Sequence, residues 1–150
     1  MLINSFEHTV DAKGRLFIPA KWREDLGNTV IVTRGMLGKD EGRCLFGMSL
    51  DVWNGLLERY NKIAMTDVKA QNALRMIFAN ACDCELDKQG RILISNTLRK
   101  FAGIDKDAVL VGMGNRIEIW SQEAWEAKLE QSEEAVDENE ALSYLAGLGI

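Results

Sequence analysis

Several of the features that usually announce a function are scarce or missing. The 150 residues include one proline, Pro19, and one histidine, His8. No apolar run approaches the roughly 20 residues of a membrane-spanning helix. Met1-Leu2-Ile3-Asn4-Ser5 has neither the basic start nor the apolar stretch of a secretion signal. A membrane-free, cytoplasmic protein is expected. The three cysteines, Cys44, Cys82 and Cys84, are an odd number without a regular framework, so disulfides are not expected. Cys82 and Cys84, with one residue between them, are expected to face apart and to share neither a bond nor a metal. No phosphate loop, nucleophile elbow or metal-spaced His/Cys cluster occurs. His8 reads as an ordinary strand residue, so neither catalysis nor a cofactor or metal is expected.

What is present is the composition of a globular chain. With 47% hydrophobic and 27% charged residues, it is long enough to bury about two-thirds of its unfolded surface without a metal or disulfide. The net charge of −5 is unevenly placed. Eight acids between Ser121 and Ile150 face the single base Lys128, a net of −7, which leaves +2 for the rest. An acidic appendage on a mildly basic body is the expectation.

The strongest signal is internal similarity. Thr9-Val10-Asp11-Ala12-Lys13-Gly14-Arg15-Leu16-Phe17-Ile18 aligns with Glu85-Leu86-Asp87-Lys88-Gln89-Gly90-Arg91-Ile92-Leu93-Ile94. Asp, Gly, Arg and the last Ile coincide. The same displacement of 76 residues sets Arg23 on Arg99 and Gly27 on Gly103. Val30-Ile31-Val32 resembles Val109-Leu110-Val111, and Ser49 and Trp53 match Ser121 and Trp125. The changing displacement puts the extra length of the first copy in its Gly-rich stretch, 35–42.

Each copy predicts the same elements. A short strand (6–10; 82–86) meets Asp-x-x-Gly, where Asp accepts turn N–H groups and Gly supplies a positive φ. A second strand follows the Arg, then a short helix. Pro19 suits the opening of the first helix, and Ser95 or Asn96 that of the second, with Gly27 and Gly103 as stops. A hairpin follows, 108–111 with 116–120 in the second copy. Ser49 and Ser121 then cap longer helices, about 50–62 and 122–134. Trp53, Leu56, Leu57 and Tyr60 recur at helical spacing, as do Trp125 and Leu129, a pattern of core or subunit contact. A further helix, about 67–79 and capped by Thr66, joins the copies. We expect one unit over 1–134 (repeat one about 2–62, linking helix about 66–79, repeat two about 80–134). An acidic, then apolar tail occupies 135–150.

The repeated turn carries the chemistry. Residues 11–23 hold four bases and one acid, and so do residues 87–100. Positive charge therefore collects around both motifs. Lys and Arg neutralise phosphates, Arg pairs bidentately with a guanine edge, and a β-ribbon fits a major groove. Alternatively, Asp and Arg pair across their own turn and merely fix it. Both are compatible, with Asp shaping the turn and Arg reaching outward. A second class of function, a protein-interaction module of antitoxin type, is favoured by the apolar tail and the Trp-bearing helices.

The pair Asp11-Ala12-Lys13-Gly14-Arg15 and Asp87-Lys88-Gln89-Gly90-Arg91 resembles the doubled signature of the MraZ family. Pro19, Trp22-Arg23, Cys84, Leu98-Arg99 and Ile117-Glu118-Ile119-Trp120 extend the likeness from Phe6 to Trp125. The resemblance implies an α+β fold, a duplicated double-split β-α-β barrel of the swapped-hairpin class (AbrB/MazE/MraZ-like, SpoVT-AbrB domain) with flanking helices. It also implies a ring-shaped homo-oligomer and a nucleoid-associated transcription regulator. The expected target is double-stranded DNA with direct repeats in the promoter of the bacterial division and cell-wall gene cluster, the regulator's own gene included. By matching position, Arg15 and Arg91 would contact DNA with Lys13 and Lys88 beside them. Asp11, Gly14, Asp87 and Gly90 would form the turns.

Overall fold

The computed structural model describes residues 1–38, 40–135 and 138–149. It is α+β: β1 (Ser5–Thr9), β2 (Arg15–Phe17), α1 (Ala20–Leu26), β3 (Thr29–Arg34), β4 (Leu45–Met48), α2 (Leu50–Tyr60), α3 (Val68–Asn80), β5 (Cys82–Glu85), β6 (Arg91–Leu93), α4 (Asn96–Ala102), β7 (Asp107–Gly112), β8 (Ile117–Ser121), α5 (Gln122–Ala135) and α6 (Glu138–Gly147). Of the expected tail, residues 136, 137 and 150 lie outside the described residues, as does Lys39 in the longer hairpin of the first copy.

A six-stranded sheet has the order β1-β7-β8-β4-β3-β5, and β2 pairs with β6 in a separate two-stranded ribbon. Every pairing is antiparallel. Exchanging the two copies reverses the sheet order and leaves it unchanged. Each copy's first strand thus joins the other copy's hairpin: Phe6 opposes Leu110, and Val30 opposes Cys84. The ribbon is shared in the same way, with Leu16 opposite Ile92.

Alternation explains the burial. In β2 and β6 the central Leu16 and Ile92 are fully buried while Phe17 and Leu93 stay exposed. Leu16, Ile18, Trp22 and Leu26 enter one core with their counterparts Ile92, Ile94, Leu98 and Ala102. Trp22 meets Phe6 edge-on at 5.1 Å and donates its indole N–H to the Ile3 carbonyl. A second cluster of Ile31, Cys44, Phe46, Met48 and Trp120 lies under α2 and α5 and receives Trp53 and Trp125.

The caps follow local chemistry. Ser49, Ser95 and Ser121 each accept a backbone N–H three residues on. For α3 the cap is Asp67, whose carboxylate takes the Ala70 N–H, and not Thr66. Cys82 and Cys84 share one face of β5, because side chains two apart on a strand point the same way; the expectation that they face apart was wrong. All three cysteines are free. Burial pushes the Cys44 and Cys84 thiols up to about 12, so both are protonated and unreactive at neutral pH. His8 sits half-buried in β1 with its ring 6.3 Å from Phe17. Among the described residues no helix is long and apolar enough to cross a membrane, and no group of three or more His, Cys, Asp or Glu could hold a metal.

Candidate functional site

The β2–β6 ribbon brings the two Asp-x-x-Gly-Arg turns side by side. In the first, one Asp11 carboxylate oxygen accepts the backbone N–H groups of Lys13 (3.0 Å) and Arg15 (2.9 Å). The other accepts Arg15 Nε–H at 2.6 Å. The second turn repeats each bond. Asp87 accepts the N–H groups of Gln89 and Arg91, both at 2.9 Å, and Arg91 Nε–H at 2.8 Å. The Gly14 and Gly90 N–H groups close the turns on the carbonyls of Asp11 and Asp87. Backbone N–H donation, from Arg15 and from Arg91 respectively, is the largest cause holding both carboxyls below their ordinary value of 3.8; the arginine side chains add to it.

Asp and Arg therefore do pair across their own turn. The pairing uses Nε, the inner edge of the guanidinium. Among the described residues Arg15 pairs with Asp11 through Nε and not through Nη1 or Nη2, so its outer edge is free for an external acceptor. Arg91 is less free, since its Nη1 lies 3.9 Å from Asp11 and its guanidinium lies over the Phe17 ring at 5.7 Å. Asp11 thus faces both arginines, which fixes the two side chains as neighbours. Lys13 and Lys88 are exposed beside their own turns.

Both glycines are demanded twice. Their φ angles are +89° at Gly14 and +81° at Gly90, a region that side-chain-bearing residues resist. In addition, a Cβ on Gly14 would stand 2.9 Å from the Arg99 guanidinium, and one on Gly90 would collide with that of Arg23. These arginines are the functional neighbours whose role sequence reasoning missed. Arg23 Nε–H donates to the Ile18 carbonyl at 2.9 Å and Arg99 Nε–H to Ile94 at 3.1 Å. Each reaches from the helix of one copy onto the glycine turn of the other. Their recurrence at the same displacement as the motif was the available signal.

Chemically, the ribbon offers two guanidinium groups and two flanking ammonium groups. Its only carboxylates at the turns are Asp11 and Asp87, both engaged. The charge and spacing of such an arrangement suit anions arrayed along a surface.

Comparison with known proteins gives a consistent result. The profile of the family described as "MraZ protein, putative antitoxin-like" matches twice, over residues 1–76 and 77–144. A protein from Desulfitobacterium hafniense is 44% identical over 150 residues, 100% of both chains. One from Caldicellulosiruptor bescii is 44% identical over 137 residues, covering 91% of this chain and 92% of its own. One from Ligilactobacillus salivarius is 45% identical over 138 residues, covering 92% and 93%. All three are named Transcriptional regulator MraZ. A solution structure of PHS018 from Pyrococcus horikoshii aligns over 79% of this chain and 88% of its own at 18% identity and a TM-score of 0.33, too slight a likeness to bear on the fold.

Proposed function

The chain belongs to the MraZ family, and from that premise we propose that it is a transcription regulator that reads double-stranded DNA with its paired turns. One observation carries the reading: Arg15 and Arg91 stand side by side on one ribbon, each fixed through Nε by its own Asp. Nε anchoring holds a guanidinium in place before binding and lowers the entropy lost when its Nη groups meet a phosphate or a base edge. Asp11, Gly14, Asp87 and Gly90 shape the support, and Lys13 and Lys88 add phosphate attraction.

The finer reading follows the family. The fold is the duplicated double-split barrel of the swapped-hairpin class, one pseudo-two-fold unit over 1–134 with a tail at 135–150. Support comes from the strand exchange, in which β1 joins β7 and β5 joins β3. Subunits assemble as a ring in the bacterial cytoplasm, at the nucleoid. They bind direct repeats in the promoter of the division and cell-wall gene cluster, the regulator's own gene included, and repress it. A single ribbon makes few contacts, but linked ribbons raise the effective concentration for each further repeat.

The test is a salt-dependent titration on the DNA upstream of the chain's own gene, comparing wild type with the Arg15→Ala/Arg91→Ala double variant. Each lost bidentate contact is expected to cost about 1–3 kcal/mol, so the double variant falls at least about thirtyfold towards its affinity for random DNA. Folding and assembly mass are checked in parallel. Equal affinity of wild type for operator and random DNA would overturn the reading and favour a protein-interaction module of antitoxin type.

A further inference from the structure

The C-terminal helix is exposed on every described side. All residues from 140 to 149 are exposed, including Leu142 (64%), Tyr144 (70%), Leu145 (45%) and Leu148 (58%). Four large apolar side chains within two turns make an apolar strip, and α6 is only ten residues long. A helix below about 12–15 residues is marginal in water unless it packs on something. Within its own chain every residue from 140 to 149 stays exposed, so the intrachain packing that would steady such a helix is slight.

The same chain carries a fitting receptor. Between the end of α2 and the length of α3 lies an open hollow of about 370 Å³, lined by Tyr60, Ile63, Met65, Leu74 and Phe78. Phe78 meets Trp53 edge-on at 5.8 Å and Tyr60 at 5.9 Å. Met65 is 89% exposed beside it. Charge matches as well. Residues 59–80 carry Arg59, Lys62, Lys69 and Arg75 against Asp67 alone, whereas no base follows Lys128 in the acidic tail. The four bases are exposed, and Arg75 is held on the rim by Asn72 at 2.8 Å. Apolar strip meets apolar hollow, and acid meets base.

We propose that α6 of one copy, with the turn that follows it, seats its Leu142–Leu145–Leu148 edge in the α2–α3 hollow of a second copy, as a clasp between neighbouring subunits. Helix and hollow are different surfaces of one chain, so the contact is head-to-tail and, in the ring proposed above, repeats from subunit to subunit. The inference rests on the self-assembly reading above for its partner, and it adds which segments join.

The test uses full-length chains carrying Leu145→Cys or Met65→Cys, differently tagged and co-expressed. Under mild oxidation a link between the two tagged chains is expected, absent from wild type and from either variant alone. A link that forms only when both substitutions are in one chain would overturn the clasp by placing α6 on its own hollow, and so would no link above wild type. Light scattering runs alongside. Leu145→Asp, at an exposed position, is expected to weaken association at least about tenfold without loss of helical signal. Wild type that is monomeric throughout would sink the self-assembly reading itself. Assembly of undiminished strength in Leu145→Asp, with no link, would sink only the clasp.

Discussion

The two turns carry one motif in two degrees of freedom. Among the described residues Arg15 is held by Asp11 alone, and its side chain is 33% exposed. Arg91 is held by Asp87, reaches Asp11 at 3.9 Å, lies over Phe17 and is 19% exposed. One difference lies across the ribbon. Arg91 opposes Phe17, while Arg15 opposes Leu93, at the position equivalent to Phe17 in the other copy. The two copies share their turn hydrogen bonds, and Arg91 is the more enclosed arginine, with Phe17 and Asp11 both against it. A repeat therefore conserves what its backbone needs and diverges where a neighbour from the other copy decides.

The glycines give the largest expected effect. Alanine at either position must adopt a strained positive φ and displace an arginine, a cost of about 1–3 kcal/mol. A Cβ meets Arg23 at Gly90 more closely than it meets Arg99 at Gly14. Thermal unfolding of Gly90→Ala is therefore expected to fall further than that of Gly14→Ala. Equal losses would mean that φ strain alone decides and that the crossing arginines yield freely.

Acid probes the aspartates. Both carboxyls lie below their ordinary 3.8, held there first by the arginine backbone N–H groups. A lowered folded pKa means that the charged form contributes stability fully above the unfolded value. That contribution is lost as pH falls through the folded value, so the turns should hold at pH 5 and loosen below about pH 4. The comparison sharpens with Asp11→Asn and Asp87→Asn, followed by the Nε–H resonances of the arginines. Asp11→Asn is expected to disturb both Arg15 and Arg91, whereas Asp87→Asn should disturb Arg91 only. Confinement of the Asp11 effect to Arg15 would remove the idea of a shared carboxylate.

Much of this site was legible in sequence because turns are local. Asp-x-x-Gly specifies its own hydrogen bonds within five residues, and the serine caps do likewise. Thr66 and Asp67 are both good caps by residue type, and only the backbone path into α3 decides for Asp67. What could not be read was the exchange between copies. The pairing of β1 with β7 joins residues about a hundred positions apart and leaves no periodic trace. The crossing of Arg23 to Gly90 and of Arg99 to Gly14 depends on that exchange. The recurrence of Arg23 at Arg99 was visible, but its meaning required the fold.

The smallest expected effect tests the comparison most directly. Phe17→Leu with Leu93→Phe keeps composition and volume nearly constant while moving the ring from the partner of Arg91 to that of Arg15. An exposed cation–π contact is worth about 0.5–1 kcal/mol, so stability should hardly change. Both positions point out of the core, at 41% and 58% exposed, which makes the exchange tolerable. Order should move with the ring: Arg15 Nε–H should become the slower to exchange with solvent and Arg91 Nε–H the faster. If stiffness stays with Arg91, then its approach to Asp11 is the cause, and Phe17 only lies in the way. Either pattern assigns the asymmetry to one named neighbour, because the swap leaves both Asp–Arg pairs and every ribbon hydrogen bond in place.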